Sequence, residues 1–174
     1  MRDVFRKPLS LLGAAALVLA ACASDVSDQP ASGEPAPAPV SGVGAAPDAL
    51  AILESLYPDR GEPPTELVTT EVTEGDGATV TAGQRAIVQY WGLRWSDGGT
   101  FAASWTRGEP LSFVLGAGGT ISGWDLGVEG MRVGGRRVLV IPPDLAYGDR
   151  GSANLIGPGE TLVFIVDLLE AGAS

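Results

Sequence analysis

The sequence predicts an α+β domain: a twisted antiparallel sheet of about five strands wrapped around one short helix. Three observations lead there. Several short stretches after residue 65 alternate in polarity or run in β-branched and aromatic residues, each cut by glycine or proline. Only residues 122–131 carry helical spacing, with Ile121, Trp124, Val128 and Met131 at i, i+3, i+7 and i+10. Nine of the eleven aromatic residues lie between positions 90 and 164, which places the packed core there. An antiparallel sheet must cover an apolar face, and the 122–131 helix is the element available to do so. Trp124 is therefore expected to face the concave side of the sheet.

Taken in order, the chain opens with "MRDVFRKP", a positively charged stretch, followed by the apolar run "LSLLGAAALVLAA". The run has the length of a signal-peptide core and is short for a membrane span. It ends at Leu19-Ala20-Ala21-Cys22, which resembles the lipobox of bacterial lipoproteins. That resemblance implies cleavage after residue 21, lipid on the Cys22 thiol with acyl chains such as palmitate, and a position on the outer face of a bacterial membrane, in the cell envelope. Residues 22–64 read as the modified cysteine plus a spacer. Pro30, Pro35, Pro37 and Pro39 favour an extended chain, and "ALAILESLYP" is a possible short helix ended by Pro58. The domain is expected over 65–174.

Within it, "LVTTEVTEGDG" alternates into an acidic turn. In "RAIVQYWGLRW", Ala86, Val88 and Tyr90 share one face while Ile87, Gln89 and Trp91 share the other. "LSFVL" aligns Leu111, Phe113 and Leu115. "RRVLVIPP" is β-branched and stops at two prolines, which cannot continue a central strand. "TLVFIVDLLEA" aligns Leu162, Phe164, Val166 and Leu168. Arg136 and Arg137 read as sheet-edge charges.

The helix is poor by propensity. Gly123, Gly127 and Gly130 each cost about 1 kcal/mol relative to alanine. Burial has to replace that loss, and glycines let the helix backbone approach the sheet.

Composition excludes several chemistries. A net charge of −10 argues against nucleic acid, which needs a basic face. Lys7 is the only lysine, so there is no phosphate-binding P-loop. With no histidine, Ser-His-Asp and Cys-His catalysis are absent. A lone cysteine leaves no CxxC redox pair, and neither a metal nor a cofactor is expected.

Tyr90, Phe113 and Phe164 are the expected neighbours of Trp124. Phe101 and Tyr147 come from the turn-rich "SDGGTFAAS" and "PPDLAYGDRG". Large aromatics are usually core. Two features favour a pocket: two tyrosine hydroxyls that need partners if buried, and a long glycine-rich loop, "AYGDRGSANLIGPGET", beside the sheet.

The blocks "VQYWGLRWSDGGTFAAS", "EPLSFVLGAGGTISGWDLGVEGMRVGGRRVLVIPPDLAYG" and "ETLVFIVDLLE" together resemble the FKBP-type peptidyl-prolyl cis-trans isomerases, over about residues 65–171. The resemblance implies a monomer whose pocket lies between sheet and helix. It would take proline-containing polypeptides and macrolides such as tacrolimus or rapamycin. Tyr90, Phe101, Trp124, Tyr147 and Phe164 match the family's pocket aromatics, with Trp124 at the floor. Thr120 and Ile121 match the segment whose isoleucine N–H holds a ligand carbonyl, and Tyr147 matches a second carbonyl donor. Leu111, Phe113, Leu155 and Ile156 match further substrate contacts, the last two on the overhanging loop.

Two departures stand out. Ala102 replaces the aspartate that the family places after Phe101, where it bonds to the neighbouring tyrosine; the Tyr90 hydroxyl is then expected to turn to water or backbone. "LIGPGE" keeps only Pro158 of the usual Ile-Pro-Pro. Ala102 motivates an alternative, a non-catalytic chaperone or peptide-binding module on the same fold.

Overall fold

The computed structural model describes residues 46–152 and 154–173. Cys22 and the apolar run before it lie outside the described residues. Six strands form one antiparallel sheet: β1 (Val68–Thr73), β2 (Arg85–Arg94), β3 (Thr100–Ala103), β4 (Leu111–Val114), β5 (Arg136–Ile141) and β6 (Leu162–Gly172). Their order is β1-β5-β6-β2-β3, with β4 paired to the first half of β2. The sixth strand is β3. It lies in a segment read as turns, because four residues are too few for alternation to register.

The strand faces fall as the alternation predicts. Ala86 and Val88 of β2, Phe113 of β4, and Leu162, Phe164, Val166 and Leu168 of β6 meet on the concave side with Leu139 and Ile141 of β5. A short helix, α3 (Ser122–Val128), lies across that face and adds Trp124 and Val128 to the same core. It is shorter than the 122–131 spacing suggests. Glu129 leaves helical geometry and Gly130 turns the chain at φ 77°, a conformation glycine adopts without steric cost.

The glycines of α3 act as the sequence implies. A Cβ on Gly127 would lie 2.8 Å from Leu139 Cδ2, and one on Gly123 would overlap the branched side chain of Ile141. The helix axis thus sits closer to β5 than any side chain on that stripe permits. At the other end of α3, Arg137 donates to the carbonyls of Gly127 (2.8 Å) and Glu129 (3.1 Å) and pairs with Glu71 (2.5 Å). A cation there satisfies orphan carbonyls and opposes the helix dipole.

Arg136 and Arg137 are therefore not sheet-edge charges. β5 is an interior strand, and Arg136 points to the convex face, where it grips nearly buried Asp167 through two bonds of 2.6 and 2.7 Å. Position along the strand could be read from sequence, but the strand's place within the sheet could not.

A second difference concerns the convex face. The 122–131 helix does not do the covering alone. α1 (Ala49–Leu56), capped by Asp48 Oδ1 accepting from Ala51 N–H at 3.0 Å, packs Ala49 and Leu53 onto Leu93, Val138, Val140, Val163 and Ile165. Tyr57 meets Trp95 edge-on at 5.1 Å, and the Trp95 indole donates to Gly61 carbonyl at 3.1 Å. Residues 46–64 thus belong with the folded unit. The signal was present: "VLVI" and "LVFIV" are apolar on both alternate faces, the pattern of strands buried on two sides.

A third short helix, α2 (Ser104–Arg107), follows β3 directly. Buried Ser104 donates to Gln89 Oε1 and accepts from Tyr90 N–H at 2.7 Å, which locks α2 onto β2 beside the cavity described next.

Candidate functional site

Between α3 and the concave sheet lies an open cavity of about 220 Å³. Its floor is Trp124, 3 % exposed, fixed by three edge-to-face neighbours: Tyr90 and Phe164, each at 5.1 Å, and Phe113 at 5.6 Å. Such pairs add about 0.5–1.5 kcal/mol each beyond burial, so the indole has little freedom to tilt. Phe101 of β3 stands at 5.5 Å and 87° to Phe164. Gly92 makes that possible, because a Cβ there would come within 2.7 Å of the Phe101 ring and 3.0 Å of Phe164. Leu111, Thr120 and Ile121 form the wall opposite, and Tyr147 closes the mouth.

Eight of the residues singled out from sequence line this cavity: Tyr90, Phe101, Leu111, Thr120, Ile121, Trp124, Tyr147 and Phe164. Three do not. Phe113 lies behind Trp124 and supports it from the core. Ile156 turns inward, 6 % exposed, and Leu155 is 55 % exposed outside the wall. Gly119 and Ala102 complete the lining. No lining residue carries a charge, so the cavity presents aromatic and aliphatic surface with a few polar atoms at its edge. Among these, Thr120 Oγ1 is buried without a hydrogen-bond partner among the described residues.

Among the described residues the Tyr90 hydroxyl bonds to a side chain rather than to backbone. It accepts from Arg107 Nη2 at 2.8 Å, and the guanidinium lies 5.4 Å from the centre of the Tyr90 ring. Arg107 was not singled out from the sequence. Its position at the end of α2 depends on how that four-residue helix folds back onto β2. At the mouth, burial pushes the Tyr147 phenol above the ordinary tyrosine range, with a smaller contribution from Tyr90. Tyr147 therefore stays a protonated donor at neutral pH.

The loop beyond Tyr147 lacks the double proline of the motif it resembles, and polar ties hold it instead. Arg94 donates to Leu155 carbonyl at 3.1 Å while bonded to Asp97 at 2.8 Å. The Arg94 hydrogen bond, and then the Gly99 N–H, lower the Asp97 carboxyl below its usual range. Glu160 accepts from both N–H (3.1 Å) and Oγ (2.9 Å) of Ser96.

The family model for FKBP-type peptidyl-prolyl cis-trans isomerases matches residues 77–169, over half of the chain. An FK506-binding protein of Streptomyces anulatus is 57 % identical over 110 residues, covering 63 % of this chain and 89 % of its own length. The peptidyl-prolyl cis-trans isomerase FPR2 of Saccharomyces cerevisiae is 47 % identical over 88 residues, covering 51 % of this chain and 65 % of its own. Among solved structures, FkpA from Escherichia coli superposes with a TM-score of 0.58 at 40 % identity, over 71 % of this chain and 57 % of that one.

Proposed function

From the premise that this chain belongs to the FKBP-type peptidyl-prolyl cis-trans isomerase family and is such an isomerase, we propose that it turns over Xaa–Pro bonds of exported polypeptides in the aromatic cavity above Trp124. Rotation about such a bond is slow because the amide loses resonance, a barrier of roughly 18–20 kcal/mol. The twisted amide has less charge separation than the planar one. An apolar, water-poor cleft favours the twisted form over the planar one, and that difference in binding lowers the barrier. Each 1.36 kcal/mol of difference is worth about tenfold in rate.

In this reading the proline ring rests on the Trp124 indole between Tyr90, Phe101 and Phe164. The Ile121 N–H and the Tyr147 hydroxyl hold the flanking carbonyls. No nucleophile, base or metal enters the step. The observation that carries the reading is the cavity itself: open, uncharged, and floored by an indole that three aromatic neighbours hold still. The alternative of a non-catalytic module drew on Ala102. Arg107 donates to the Tyr90 oxygen and so holds the ring in place from the α2 side, although the acceptor an aspartate would offer the Tyr90 proton is not replaced; an anchored Tyr90 in the lining favours catalysis.

The decisive experiment is exchange spectroscopy on a Leu-Pro peptide with the full chain and its Trp124→Leu variant. A wild-type rate well above buffer, lowered at least tenfold by the substitution, is expected. A wild-type rate equal to buffer at micromolar enzyme would refute the reading. Quenching of tryptophan fluorescence by tacrolimus or rapamycin tests the same cavity.

The location is part of the proposal. Arg2, Arg6 and Lys7, the apolar run and Leu19-Ala20-Ala21-Cys22 support export and lipid attachment at Cys22. Labelled palmitate should enter the wild-type chain in a bacterial host and not Cys22→Ser; equal labelling would refute the assignment.

A further inference from the structure

Arg107 is exposed, ends α2, and donates to the Tyr90 hydroxyl at the cavity edge. Among the described residues it makes no ion pair; the bridges formed by arginines elsewhere are Arg94–Asp97, Arg136–Asp167 and Arg137–Glu71. Its nearest acidic neighbour in sequence, Glu109, lies two residues on and forms no bond with it. Ala102, which lines the same cavity as Tyr90, brings only a methyl group to it.

The hydrogen bond also has a direction. A guanidinium only donates, so the Tyr90 oxygen is the acceptor and its own proton is left to donate elsewhere. One phenolic O–H and one uncompensated guanidinium thus converge on the rim of an uncharged pocket. Two donors with no acceptor between them form a subsite for a carboxylate, and a planar guanidinium suits that group better than a point charge does.

We propose that Arg107 and the Tyr90 hydroxyl form an anion subsite that selects substrates with an acidic residue immediately before the proline. This rests on the isomerase reading above. That residue supplies the carbonyl of the rotating amide, so in the proposed pose its side chain is adjacent to the proline and within reach of the edge where Tyr90 and Arg107 meet. A glutamate there supplies from the substrate the carboxylate that residue 102 does not. The chain's net charge of −10 does not override the local effect. Distant surface charges are screened beyond about 10 Å at 0.1 M salt, whereas a contacting pair is not.

The test uses three peptides that differ only before proline, Glu-Pro, Gln-Pro and Leu-Pro, with the full-length protein. At low salt the kcat/KM ratio of Glu to Gln is expected to be about three to five, the scale of a partly exposed charge pair, and to fall toward one in high salt. Glutamine has the shape of glutamate without its charge, so the ratio cancels any general effect of moving Tyr90. Arg107→Gln should bring the ratio to one or below, and Arg107→Lys should keep it above one. Ala102→Asp should also drop it below one, by pairing Arg107 internally. A wild-type ratio of one or less with Leu-Pro turned over would overturn the subsite alone, as would a ratio indifferent to Arg107→Gln. If no peptide is turned over, the isomerase reading fails instead. The subsite is then judged by the dissociation constants of the three peptides from tryptophan fluorescence, where equal affinity for Glu and Gln overturns it.

Discussion

Replacing Gly123 by alanine sets helix propensity against packing at one atom. On propensity alone the change should stabilise α3 by about 1 kcal/mol. In the fold the new methyl would fall onto Ile141 Cγ2 and lie 2.9 Å from its Cδ1 and 3.1 Å from its Cγ1. Ile141 is fully buried and its β-branched χ1 is restricted, so it cannot swing aside cheaply. Overpacking of this kind costs about 1–3 kcal/mol. Because the obstacle is the stiff branch of the side chain rather than its tip, the upper half of that range applies. The net expectation is a loss of about 1–2 kcal/mol, or roughly 3–10 °C in Tm for a domain of this size. Urea unfolding followed by tryptophan fluorescence measures it directly. The double variant Gly123→Ala/Ile141→Ala should be markedly less unstable than the sum of its single changes, since the methyl then occupies vacated space. A single Gly123→Ala protein as stable as wild type, or more so, would refute the claim that contact with β5 dictates glycine in α3.

Other consequences can be checked in the same protein. Leu53→Ala, on the convex face, should lower stability by about 2–4 kcal/mol in urea unfolding yet leave the isomerisation rate per folded molecule unchanged. Arg137→Met removes the donors at the end of α3 and should cost about 1–3 kcal/mol by the same measurement. Tyr147→Phe deletes the donor at the mouth and should lower kcat/KM about tenfold, with little change in Tm. Burial raises the Tyr147 phenol, so its donating form persists as pH rises, and the rate should stay flat from about pH 6 to 9. A decline with a midpoint inside that window would contradict the assignment.

Much of this was legible in the linear chain because the period of a strand is local. Alternation alone put Leu162, Phe164, Val166 and Leu168 on one face, and the i, i+3, i+7 spacing of Ile121, Trp124 and Val128 marked the helix that lies against it. Glycine at 123 and 127 announced a close approach before any neighbour was known. Eight cavity residues followed from ordered motifs. What tertiary structure decided are matters that no local period encodes. These are the place of β5 inside the sheet, the second apolar face covered by Leu53, the inward turn of Ile156, and the reach of Arg107 across to a tyrosine seventeen residues earlier. Propensity and pattern act between near neighbours along the chain. Partner choice for a charge or a face is settled only once distant segments meet and water is excluded between them.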